Sequence, residues 1–222
     1  FDRSRMGNET SFGLGFSGNE MIGKFVAGND FNYVQAHATS IAASGKYNIS
    51  SCSSEVIASG RVQMKNYQAV DLINGLERHD GYTHAYFKSF TPALQNSIRQ
   101  YASQGGRILI SGSYTGSDMQ TEEEQAFLSD ILKLSYEPTG STAITRDINP
   151  EDSTVTERDS IVYTSPNVKG LGLQFSYYNE LNAQHYAATH PEILKPVGNY
   201  AFTAMQYDTG TSAAVAYKST TY

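Results

Sequence analysis

The stretch from Thr91 to Asp118, T-P-A-L-Q-N-S-I-R-Q-Y-A-S-Q-G-G-R-I-L-I-S-G-S-Y-T-G-S-D, limits the possible folds more than any other part of the chain. Thr91 can accept a hydrogen bond from a first-turn amide, and Pro92 at the first helical position gives up an amide that has no partner there. Ala93, Leu94, Ile98, Tyr101 and Ala102 recur at spacings of three and four and predict one apolar helix face, with Gln95, Asn96, Arg99 and Gln100 on the other. Gly105 can take the left-handed conformation that stops a helix, and Gly106 loosens the turn behind it. Ile108, Leu109 and Ile110 then form an unbroken apolar run, the pattern of a parallel strand covered on both faces. That strand opens at Ser111 into a loop of small hydroxyl residues closing on Asp118. In open α/β sheets ligands sit beyond the carboxyl ends of the strands, so this loop is the first place to look for a site.

The neighbouring sequence repeats the alternation. Lys24-Phe25-Val26-Ala27 reads as a first strand, Asn29 and Asp30 as its loop, and Tyr33, Val34, His37, Ile41 and Ala42 as a helix capped by Asp30 and stopped at Gly45. Tyr47 to Ser51 predicts a second strand, Ser50 to Glu55 a second polar loop, and residues 55 to 66 a short helix ending at Gly60. Ala69 to Ile73 reads as a third strand that opens into Asn74 to Gly81. Thr121 followed by Glu124 has the capping-box spacing ahead of Phe127, Leu128, Ile131, Leu132 and Leu134. Strands and helices alternating from 24 to 134 predict right-handed crossovers and a three-layer α/β fold with a mainly parallel sheet. Residues 1 to 23 are a glycine-rich, irregular leader. Past 135 prolines punctuate short strands at Gly172 to Tyr178, Tyr200 to Tyr207 and Ser212 to Tyr217, the last two joined by the hairpin signal Asp208-Thr209-Gly210-Thr211. These predict a β-rich extension of the same sheet by antiparallel strands, within a single domain spanning residues 1 to 222.

Charge and size exclude some partners. At 222 residues the chain can bury roughly 70% of its unfolded surface and needs no staples. A net charge of -6 and the lack of a basic stripe argue against nucleic acid. No apolar run approaches the roughly 20 residues of a membrane span. A single cysteine, Cys52, rules out an internal disulfide and any multi-cysteine metal cage, and its residue type predicts a buried position. Sixteen tyrosines, no tryptophan and 17% charged residues lean toward an extracellular or periplasmic setting. The ends, Phe1-Asp2-Arg3 and Ser219 to Tyr222, read as those of a piece of a longer chain with neighbouring domains.

Four segments carry a resemblance: S-S-C-S-S-E-V at Ser50 to Val56, Y-Q-A-V-D-L-I-N-G-L-E at Tyr67 to Glu77, G-G-R-I-L-I-S-G-S-Y-T-G-S-D at Gly105 to Asp118, and S-A-A-V-A-Y-K at Ser212 to Lys218. Together they resemble the core of secreted multidomain proteins catalogued as xanthan lyase, which often carry a fibronectin type III or golvesin-like module. The resemblance implies export, a flavodoxin-like or amidotransferase-like layered fold, and a link to glycan processing. His190-Pro191-Glu192 also resembles the H-P-E of class I glutamine amidotransferases, in which the histidine activates a cysteine at a strand end. Here Ser111 or Ser113 stands at the comparable strand end, and Cys52 follows a different strand.

A flavodoxin-like order would bring Asp30, Glu77, Ser111, Ser113 and Asp118 to one crevice. Carboxylates there could hold a divalent cation or divide acid and base roles, while singly Asp30 suits an N-cap, Glu77 a solvated loop acid and Asp118 a turn former. No motif names a cofactor. Two function classes follow. One is a hydrolase or lyase-like enzyme on an extracellular glycan or peptidoglycan fragment, with Glu77, Ser113 and Asp118 catalytic and Asp30, Ser111 and Tyr114 binding substrate. The other is a non-catalytic carbohydrate-binding or scaffold domain that offers exposed tyrosine faces, such as Tyr82, Tyr86, Tyr114, Tyr177 and Tyr178, to sugar rings.

Overall fold

The central helix and strand form as their end signals require. In the computed structural model, which describes residues 32–75, 78, 88–140, 142–148, 155–161, 163–177 and 190–218, helix α3 (Pro92–Ser103) starts where Thr91 Oγ1 accepts from Leu94 N. It ends ahead of Gly105 at φ 77°. Before it lie α1 (Asn32–Ala43), closed by Gly45 at φ 64°, α2 (Ser54–Ala58) and strand β1 (Val70–Gly75). After it come β2 (Ile108–Gly112) and α4 (Glu122–Phe127), where the capping box is complete: Thr121 Oγ1 accepts from Glu124 N while the Glu124 carboxylate accepts from Thr121 N at 3.0 Å. The chain then widens into a π-helical turn, Leu128–Leu132, that ends at the left-handed Lys133.

β1 and β2 pair in parallel, Val70 opposite Ile108 through Ile73 opposite Ser111, as the two apolar runs predict. The rest of the sheet expectation is overturned. Among the described residues this two-stranded pair is the only parallel one, so the molecule is not a mainly parallel three-layer α/β fold. β3 (Leu134–Glu137) pairs antiparallel with β8 (Ile193–Pro196), and β4 (Thr142–Ile148) with β5 (Val155–Ile161). β6 (Asn167–Gly170), β7 (Leu173–Ser176), β9 (Ala201–Tyr207) and β10 (Ser212–Tyr217) form a separate antiparallel sheet in the order β10-β9-β6-β7. The C-terminal strands therefore do not extend the parallel sheet. Their antiparallel direction is as expected, since Leu171-Gly172 and Asp208 to Gly210, with Gly210 at φ 90°, are tight turns that return a strand antiparallel to its neighbour; what differs is that they form a sheet of their own.

Three further expectations change. Residues 47–53 form no strand, because their only large apolar side chains, Tyr47 and Ile49, are both exposed and bury too little to hold one. Cys52 rides on that segment and is exposed rather than buried. Leu109 is 62% exposed, so β2 is covered on one face only. Val70, Leu72, Ile108 and Ile110 face α3, whereas on the other face α1 meets β1 through His37 Nδ1, 2.7 Å from Asp71 Oδ2.

The main core gathers Phe90, Leu94, Ile98, Tyr101, Met119, Phe127 and Leu128 around α3 and α4, with the Phe90 and Phe127 rings 5.4 Å apart. Gln95 joins this face in place of the exposed Ala93, its amide donating to Phe90 O at 3.0 Å. A smaller core of Val168, Ile193 and Tyr207 lies under the antiparallel sheet. The strand expected at Lys24 to Ala27, the leader at 1 to 23 and Asp30 lie outside the described residues.

Candidate functional site

Parallel pairing brings the carboxyl ends of β1 and β2 together, and the β2 loop starts from a fixed point because Ser113 N donates to Gly75 O at 2.8 Å. The loop then runs through Tyr114 and Thr115 to Gly116 and Ser117 and their backbone amides. They meet Glu192, which the antiparallel pairing of β8 with β3 delivers to this spot. Glu192 Oε2 accepts from Gly116 N at 2.7 Å; Oε1 accepts from Ser117 N at 3.0 Å and from Ser117 Oγ. Behind it, Tyr207 Oη donates to Glu192 O at 2.8 Å. Gly116 must lack a side chain, since a Cβ there would lie 2.6 Å from Tyr136 Cβ.

Burial pushes the Glu192 carboxyl above the ordinary glutamate range, against the bonds from Ser117 and Gly116 that favour its charged form, and the Asp118 carboxylate adds to the rise. Burial also raises the Tyr136 phenol, with Glu192 nearby contributing, and raises Tyr177 despite its bond to Thr164. Tyr207 is raised by burial and by the approach of Tyr177 and Glu192. In this corner of the molecule burial therefore makes the charged forms of these acids more costly than they are in water.

A cavity of about 340 Å³ opens beside this cluster. Tyr114, Tyr136 and His190 supply its rings, Ser117, Thr139 and Thr164 its hydroxyls, and Glu192 its carboxylate, with Pro191 completing the wall. The Tyr114 ring is 5.1 Å from the His190 ring and 4.7 Å below the Arg78 guanidinium carbon.

Of the sequence-predicted residues, Tyr114 does line the cavity, although it is 5% exposed and offers no open flat face. Asp118 lies close to Glu192 and anchors the loop, its Oδ2 accepting from Ser89 N at 2.8 Å. Ser111 is paired opposite Ile73 within the sheet, and neither it nor Ser113 lines the cavity. Asp30, Glu77, Tyr82, Tyr86 and Tyr178 lie outside the described residues, as do His79, His84 and His185. Among the described residues no three or more His, Cys, Asp or Glu side chains are grouped to hold a metal ion.

Gly112-Ser113-Tyr114-Thr115-Gly116 does carry the two flanking glycines of a nucleophile elbow, but with tyrosine at its centre. An elbow holds its nucleophile in a strained turn. Among the described non-glycine residues only Lys133 and Leu171 have positive φ, so neither Ser113 nor Tyr114 is held that way. Sequence reasoning missed Glu192 and Tyr136 as site residues. The His190-Pro191-Glu192 motif contained the signal for Glu192, yet the histidine drew attention while the glutamate makes the contacts. Family models, curated proteins and solved structures were compared with the chain, and none matches.

Proposed function

We propose that this cavity is a carbohydrate-binding site in a domain that binds without transforming its ligand. The observation that carries the reading is the wall of the cavity: its carboxylate, Glu192, is fixed by Gly116 and Ser117, which take three of its acceptor directions, and tyrosine rings, a histidine, a proline and hydroxyls make up the rest. Apolar ring surface beside a few fixed polar groups is the make-up of a small-molecule pocket, and a sugar has matching apolar faces and hydroxyls. The relaxed loop at Ser113 and Tyr114 supports the non-catalytic side. The resemblance to secreted, glycan-linked multidomain proteins supports the same ligand class and an extracellular setting.

One observation favours a catalytic second reading. A carboxyl held above its usual range can serve as a general acid, and Glu192 is such a group in a cavity wall. A glycan-binding screen run beside an activity screen on esters, amides and polysaccharides separates the two. The expected result is saturable glycan binding with no turnover. Turnover that disappears in Glu192→Gln would reverse the assignment in favour of an enzyme.

A further inference from the structure

We infer that the sugar preferred by this cavity carries a free amino group; the inference rests on the carbohydrate-binding reading and narrows it. Glu192 accepts three hydrogen bonds, from Gly116 N, Ser117 N and Ser117 Oγ. A carboxylate has about four lone-pair directions, so one is left for a ligand. All three donors are neutral; among the described residues that line the cavity there is no lysine or arginine, and the one basic side chain, His190, has its ring against Tyr114. Arg78, over the far end of the system on the Tyr114 ring, is not part of that lining.

A carboxylate taken out of water without a cation is costly, and an arriving ammonium removes that cost by pairing with it. The surroundings work in the same direction. The faces of tyrosine rings attract cations, and Tyr136 borders the cavity. Asp118, whose Oδ2 accepts from Ser89 N at 2.8 Å, adds negative potential from behind the loop. An amino group on a hexose ring would bring its charge to Glu192 while ring hydroxyls meet Thr139 and Thr164. A neutral sugar offers Glu192 only a hydroxyl. A uronic acid would set a second carboxylate against the first, which is repulsive at any contact distance.

The test uses four oligosaccharides of equal length: fully deacetylated glucosamine, its N-acetylated counterpart, glucose and galacturonate. Each is titrated calorimetrically into the unmodified chain at a pH where the amine is protonated. The expected result is one-site binding of the deacetylated oligomer at least about tenfold tighter than its acetylated counterpart, with galacturonate weakest. Glu192→Gln is expected to bring the first two to equal affinity. The ranking on the unmodified chain decides the matter even where that variant does not fold. Equal or tighter binding of the acetylated, glucose or galacturonate oligomers overturns the amine inference and leaves the carbohydrate reading standing. Non-saturating uptake of the amine at many sites per chain, the behaviour of a polycation on an acidic surface, also overturns it. No binding of any of the four overturns both.

Discussion

Glu192 is pulled in opposite directions by burial and by its hydrogen bonds, and the balance sets how the chain responds to acid. Its folded pKa is raised, so the stability it contributes is complete below the ordinary glutamate value and is lost as pH rises through the raised one. Glu124 has the opposite sign. Burial pushes it up, but the Lys88 ammonium at 2.5 Å and the amides of Thr121 and Gln120 outweigh that and hold it below the usual range. Its contribution is present above the ordinary value and is lost as pH falls through the lowered one. Urea titrations of the unmodified chain and Glu192→Gln from acid to neutral pH should therefore show the variant gaining relative stability as pH rises. A stability difference that does not change with pH would mean that Glu192 is as well solvated folded as unfolded. Gly116→Ala probes the same contact sterically. Its Cβ would meet the Tyr136 Cβ at 2.6 Å, so the loop must shift off Glu192. We expect a loss of about 1–3 kcal/mol in urea unfolding, with glycan affinity falling as well.

At the level of elements, the end of α4 that faces Lys88 tests whether a cap or a charge pair matters more. Thr121→Ala removes one side-chain cap and should cost about 1 kcal/mol. Glu124→Gln keeps most of the capping geometry but takes the negative charge from beside the buried Lys88 ammonium, so it should cost more than Thr121→Ala in the same denaturation experiment. The reverse order would assign the helix start to the cap alone. The elements that could be read in advance are those, like this one, whose causes are local. Thr91-Pro92, Gly105 and the Thr121/Glu124 pair each act within a few residues, and they place α3 and the start of α4, whereas Leu134, expected on that helix, begins β3. Pairing is not local. The apolar run Ile108 to Ile110 implied two covered faces, but whether anything covers Leu109 depends on distant segments. The contact between Glu192 and the β2 loop joins residues 75 and 76 positions apart, so no window of sequence contains it. What was legible of the site was the loop that carries it; its partner was visible only as a motif with an amidotransferase reading.

For the molecule as a whole, β8 is the strand that belongs to both halves. Side chains alternate along a strand, and in β8 Ile193 is buried with Val168 and Tyr207 in the smaller core while Leu194 packs against the larger one. The same strand pairs with β3, which continues directly from the π-helical turn, and Val197 N donates to Lys133 O at 2.8 Å just beyond the pairing. Neither core can open without stripping β8 from the other. The two halves should therefore unfold together, although they belong to different sheets. Urea unfolding followed by far-ultraviolet circular dichroism and by tyrosine emission, from 16 tyrosines with no tryptophan to mask them, should give coincident curves. Ile193→Ala, which cuts back a side chain only 1% exposed, should cost about 2–5 kcal/mol and move both curves to a lower midpoint together. Two separate transitions in the unmodified chain would show that β8 docks on one half only, and that the contact between Glu192 and the β2 loop is held by those few hydrogen bonds rather than by the fold.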